Sequence, residues 1–104
     1  MKARRDVFQA IADPTRRSII GLLSKQSLTL NTVAENFAIS QPAISKHMRI
    51  LTECGLVTVV KQGRERHCTA SLAALEQVVH WADQYRVFWN NRLDTLSDLL
   101  NDSE

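Results

Sequence analysis

Hydrophobic and polar positions separate most cleanly between Ile39 and Gly55, which read I-S-Q-P-A-I-S-K-H-M-R-I-L-T-E-C-G. Ile44, Met48 and Leu51 recur at helical spacing and need a core, while Gln41, Ser45, Lys46 and Arg49 fall on the opposite side. Ser40 is placed to cap the free N–H groups, Pro42 lies in the first turn where a missing N–H costs nothing, and Gly55 suits a left-handed C-terminal cap. Upstream, Asn31 to Phe37 reads as a second short helix with Val33, Ala34 and Phe37 on one face, and Ala38-Ile39 makes the connection. Nearer the start, Lys2 to Ile11 reads as a helix burying Val7, Phe8 and Ile11. Asp13-Pro14 then caps and opens another, running to about Lys25 with Ile19, Ile20, Leu22 and Leu23 inward.

After Gly55 the period changes. Leu56 to Gln62 alternates and is rich in Val and Thr, Gln62-Gly63-Arg64 turns, and Glu65 to Ala70 returns, which predicts a β-hairpin over about 56–70. From Ser71 to about residue 100 one long helix is expected. Leu72, Leu75, Val79, Ala82, Trp89, Leu93, Leu96 and Leu100 recur at spacings of three and four, interrupted at Arg86, and Val78, Tyr85, Phe88 and Leu99 widen the apolar surface. A helix of roughly 30 residues spans about 45 Å, more than so small a domain covers, and the surplus calls for a partner or for folding back.

Two short helices joined by a few residues, about 31–54, form a helix-turn-helix, whose second helix enters a major groove N-terminus first. An αα-hairpin with a solvated polar face has the same pattern. A hairpin directly after such a helix is a wing, and Lys61, Arg64 and Arg66 lie on or beside its tip, within reach of phosphates or the adjoining minor groove.

Charge favours the DNA reading. Residues 1–67 carry eleven Lys/Arg against five acids, a balance of +6, whereas residues 68–104 carry two Arg against six acids, a balance of −4. The overall +2 therefore hides a basic front, which is what phosphate binding and counterion release depend on. At 104 residues the chain has room for a single domain with one core. It has no run of about 18 apolar residues, and its basic N-terminus is followed by an interrupted apolar stretch, so neither a membrane span nor a signal peptide is expected and the cytoplasm is the default. Two cysteines, Cys54 and Cys68, build no disulfide framework. Phosphate-loop, nucleophile-elbow and H-E-x-x-H motifs are missing, so an enzyme is not expected.

In this order the segments A-D-P-T-R-R-S-I-I-G-L-L (12–23), L-T-L-N-T-V-A-E-N-F-A-I-S-Q-P-A-I-S-K-H-M-R-I-L-T-E-C-G-L-V (28–57) and V-K-Q-G-R-E-R-H-C (60–68) resemble winged-helix repressors of the ArsR family. The resemblance covers about half of the chain. It implies a mainly α fold with a small β-hairpin, ordered helix, helix, short strand, helix, helix, hairpin, long helix. It also implies a homodimer built on the first and last helices that binds an inverted-repeat operator and represses transcription. Ser40, Gln41, Pro42, Ser45, Lys46 and Arg49 occupy positions that face DNA in such proteins, and His47 is common there as a packing support or phosphate contact. Arg16 and Arg17 join the wing arginines as expected phosphate contacts. Val7, Phe8, Ile11, Val79, Ala82, Trp89, Leu93 and Leu96 are the expected dimer interface.

Metal sensing is where the chain departs from the resemblance. Thiolate-sensing members carry Cys-x-Cys at the start of the helix before the recognition helix, and this chain has Thr29 and Asn31 there. The final helix has one histidine, His80, and no matching second ligand cluster. The chain thus resembles the metal-independent branch, with no cofactor expected, whose members include autorepressors controlled by a protein anti-repressor. Two further readings stay open: a metal- or redox-responsive repressor with an atypical site, and a protein-docking module that has lost DNA binding.

Overall fold

Asp13 accepts a hydrogen bond from the Arg16 N–H at 3.0 Å and Pro14 takes the first helical position, which starts α2 (Pro14–Lys25) where the sequence places it. The computed structural model describes residues 6–102. Lys2, Arg4 and Arg5, assigned above to the first helix, lie outside them. Within them α1 is a short helix (Val7–Ile11), because Asp6 caps it through the Gln9 N–H at 2.9 Å. A two-residue strand β1 (Leu28–Thr29) leads into α3 (Leu30–Glu35), whose cap is Thr29. Next come α4 (Gln41–Glu53), β2 (Val57–Gln62), β3 (Glu65–Ala70) and a 3₁₀ turn at Leu72–Leu75. The chain ends in α5 (Glu76–Asp83) and α6 (Arg86–Asp102).

The end of α4 is a complete Schellman cap. Gly55 stands at φ 76°, the Leu56 N–H reaches the Leu51 carbonyl at 2.9 Å, and the Gly55 N–H reaches that of Thr52 at 3.1 Å. Leu56 is driven fully into the core by this turn, so the cap fixes both the length of α4 and the point where the wing begins. The sheet is antiparallel in the order β1-β3-β2, and Cys68 on the central strand pairs with Leu28 on one side and Val59 on the other.

One core joins these elements: Val7 and Ala10 of α1, Ile19, Ile20 and Leu23 of α2, Val33 of α3, Ile44, Met48 and Leu51 of α4, and Leu56, Val57 and Cys68 of the wing. Burial of each large aliphatic chain contributes about 1.5–3 kcal/mol. All three apolar positions read on α4 are therefore core, which leaves its other face outward.

Three expectations change. Phe8 is not buried: it is 39% exposed, and Ala10 takes the inner position because the short α1 turns its small residue to the core. The expected single final helix is divided. Backbone torsions stay helical through Gln84, but i→i−3 bonds from Gln84 to Trp81 and from Tyr85 to Ala82 tighten the chain and separate α5 from α6 just before Arg86. Finally, Ala74, Leu75 and Val78 are the residues that lean on the core, while Leu72 and Val79 stay exposed, so the inward stripe is offset from the one read in the sequence.

Candidate nucleic-acid interface

Ser40 starts α4 by accepting from the Ala43 N–H at 3.3 Å, and Pro42 follows in the first turn. With Ile44, Met48 and Leu51 inward, Ser40, Gln41, Pro42, Ser45, Lys46 and Arg49 are all exposed. Alternation along the wing does the rest. Lys61 and Arg66 are register partners, and Arg66 stands two residues before the buried Cys68, on the strand face that turns toward α4. Ser45, Met48, Arg49 and Arg66 consequently line one groove between α4 and the wing. Arg64 follows Gly63, whose φ of 64° forms the tip. The structure thus brings Ser45 and Arg49 of the recognition helix beside Arg66 of the wing, with Glu53 on the same groove, while Arg64 lines a second groove with Asn31 and Arg66.

Arg16, Arg17 and His47 have a different setting. The Arg16 guanidinium donates from Nε to the Ala10 carbonyl at 2.7 Å and from NH2 to that of Gln9 at 3.2 Å, while NH1 meets His47 Nδ1 at 3.3 Å. Arg17 NH1 donates to the carbonyls of Ile11 at 2.8 Å and Ala12 at 3.2 Å. Both arginines satisfy carbonyls at the end of α1, and Arg16 also ties α2 to the recognition helix. His47 is part-buried, with Asp13 Oδ2 at 3.9 Å. The Arg16 N–H lowers the Asp13 carboxyl below its ordinary range, opposed by partial desolvation and helped by His47 and Arg16. The residue types do not encode these bonds, because a basic pair at a helix start is also what a phosphate clamp looks like.

At the start of α3, Thr29 accepts from the Thr32 N–H at 3.2 Å, and Asn31 Oδ1 accepts from Gln41 Nε2 at 2.9 Å. Asn31 was not among the expected site residues. It stands ten residues before Gln41, a separation closed only by the tertiary turn. Among the described residues no three His, Cys, Asp or Glu side chains come together as a metal site. Cys68 is fully buried, which raises its thiol pKa, and Cys54 donates from Sγ to the Asp6 carbonyl at 3.4 Å.

Of the residues expected at a dimer interface, Val7 is 4% exposed and belongs to the protomer's own core, since it faces inward from α1; Ile11 is half-buried. Phe8, Val79, Ala82, Trp89, Leu93 and Leu96 are exposed. Phe8 packs edge-on against Trp81 at 5.8 Å between ring centroids, and Trp81 against Tyr85 at 5.4 Å. Among the described residues no helix is long and apolar enough to cross a membrane.

Residues 13–59 match the family described as bacterial regulatory protein, arsR family. Over 76 residues the chain is 36% identical to the transcriptional repressor SdpR of Bacillus subtilis (strain 168), covering 73% of this chain and 84% of that one. An ArsR-like transcriptional regulator from Rhodococcus sp. RHA1 superposes with a TM-score of 0.71 at 32% identity, covering 94% of this chain and 90% of the other. A structure described as a possible transcriptional regulator for arsenical resistance gives 0.70 at 41% identity, with 85% and 88% covered. With a winged helix-turn-helix, a cationic face on α4 and its wing, and relatives that span most of its length, this chain belongs to the ArsR family of DNA-binding transcription regulators, which are not enzymes.

Proposed function

We propose that the chain is a sequence-specific repressor that binds an inverted-repeat operator as a homodimer. Each protomer places the N-terminal half of α4 in the major groove, with Gln41, Ser45 and Lys46 nearest the base edges and Ser40, Pro42 and Arg49 beside them. Lys61, Arg64 and Arg66 hold the backbone or adjoining minor groove. Arg16, Arg17 and His47 flank the helix, and Arg16 sets its position. The observation that carries this reading is the shared groove that Ser45 and Arg49 form with Arg66, because it sets cations of the helix and of the wing side by side.

Dimerisation is supported by the exposed apolar residues of α6. Trp89, Leu93, Leu96, Leu99 and Leu100 are each more than half exposed. A two-fold pair sets recognition helices about 34 Å apart, one turn of the duplex. Thr29 and Asn31 make hydrogen bonds where a thiolate pair would sit, which favours release without direct metal sensing, for example by a protein anti-repressor on the exposed α6.

Binding to random-sequence duplex at two salt concentrations, followed by footprinting upstream of the chain's own gene, tests the reading. Steeply salt-dependent binding and a two-fold protected site are expected, with a slope of about −0.9 per phosphate neutralised. Salt-insensitive or absent binding would instead identify a protein-docking module.

A further inference from the structure

Gln41 does not project alone from the recognition helix. Its Nε2 donates to Asn31 Oδ1 at 2.9 Å, although the two residues start different helices. Asn31 is itself held on a firm base. Thr29 caps α3, its hydroxyl lies 2.9 Å from that of Thr32, and its backbone pairs with His67 on the central strand. Asn31 also lines the groove that runs from the start of α3 to Arg64, Glu65 and Arg66 at the wing tip, which puts it on the same side as the wing arginines.

We infer that Asn31 is a specificity-determining residue that acts through Gln41 by fixing the orientation of its amide. The inference rests on the proposed groove reading by α4. A glutamine amide has two N–H donors and one carbonyl acceptor. Asn31 takes one N–H, which leaves the other N–H and the carbonyl as a donor–acceptor pair. Adenine presents the complementary N7 acceptor and N6 donor in the major groove, whereas guanine presents two acceptors and leaves the glutamine carbonyl unpaired. An unanchored glutamine loses its rotamer freedom only when it makes a base contact and keeps that freedom on non-specific DNA. Anchoring therefore favours the specific complex selectively.

Base preferences of the wild type and variants, read by selection from a randomised duplex pool, test this. The wild type is expected to enrich adenine at one position in each half-site. Gln41→Ala should erase that preference, roughly a 5- to 150-fold loss of discrimination. Asn31→Ala should reduce it by up to roughly tenfold, the scale of freeing a glutamine side chain, with non-specific affinity unchanged and no further effect in a Gln41→Ala background. Asn31→Asp retains the acceptor and should preserve the adenine preference while weakening binding to all sequences alike. An adenine preference that survives Gln41→Ala overturns base reading by Gln41. One that is lost in Gln41→Ala but intact in Asn31→Ala leaves that reading standing and overturns the role of Asn31. A loss of DNA affinity from Asn31→Ala that is as large in the Gln41→Ala background as in the wild type shows that Asn31 contacts DNA directly, which also overturns it.

Discussion

Arg16 NH1 stands 3.3 Å from His47 Nδ1, so a side chain of α2 reaches the recognition helix while its other nitrogens hold two carbonyls of α1. The guanidinium thus makes one contact on α4 and two on α1. A lysine has no planar fork and cannot span the three acceptors. Arg16→Lys should therefore lower stability by roughly 1–2 kcal/mol, the value for charge-assisted bonds discounted for partial exposure, as read from the urea midpoint. The salt dependence of DNA binding should be unchanged. The same should hold for Arg16→Ala, which removes the charge; there a slope shallower by about 1 would show that Arg16 holds a phosphate directly.

Asp13 links α2's start to pH. Its carboxyl is lowered from an ordinary value of 3.8, first by the Arg16 N–H. A depressed acid stabilises the fold while ionised, so its contribution is complete above the unfolded value and lost as pH falls through the lowered folded value. Asp13→Ala should cost about 1 kcal/mol at neutral pH. That difference should shrink below about pH 4, where the unfolded carboxyl protonates. Asp13→Asn keeps a capping oxygen and should retain most of the neutral-pH stability with a flatter acid limb. Denaturant titrations of the three proteins at several pH values would show whether the cap or the charge dominates.

Cys68 should be chemically silent in the folded chain. It is fully buried on the central strand, and burial raises its pKa and so disfavours the reactive thiolate. In a Cys54→Ser background, which keeps a hydroxyl donor toward the Asp6 carbonyl, labelling by a thiol reagent reports on Cys68 alone. The expected rate is below that of the unfolded chain by on the order of 10³ or more, because reaction waits for opening. Fast labelling under native conditions would mean that the wing strand opens locally and would revive a redox role.

Elements with local signals were legible. Asp13-Pro14, Ser40-x-Pro42 and Gly55 are caps whose physics involves only a few neighbouring residues, and the helices they bound appear where they were read. The outward face of α4 was legible for the same reason, since its three core residues fix the rest. Phe8 and the final helix were not, because an apolar residue at helical spacing looks the same whether it meets its own core or a surface. Val78 packs inward and Val79, its neighbour, is 62% exposed; only the angle at which α5 meets α1 decides between them. Side-chain bonds across distant segments, Arg16 to His47 and Asn31 to Gln41, had no signal because neither partner's type specifies the other.

The exposed leucines of α6 give the last prediction. Leu93 is 62% and Leu96 54% exposed, three residues apart and so on one face of the helix. Neither belongs to the core cluster or packs on it, so replacing both by Asp removes little from the protomer's own fold. In a dimer each would leave a buried apolar contact worth about 1.5–3 kcal/mol and would add charges that a sealed interface cannot solvate. Leu93→Asp with Leu96→Asp should yield a monomer in sedimentation with an unchanged far-ultraviolet spectrum. Operator affinity should fall by on the order of 10²–10⁴, the gain expected when a second half-site is bound in tandem, while affinity for a single half-site should hold. A variant that stays dimeric would place the two-fold interface elsewhere, with the aromatic cluster of Phe8, Trp81 and Tyr85 the next surface to disrupt.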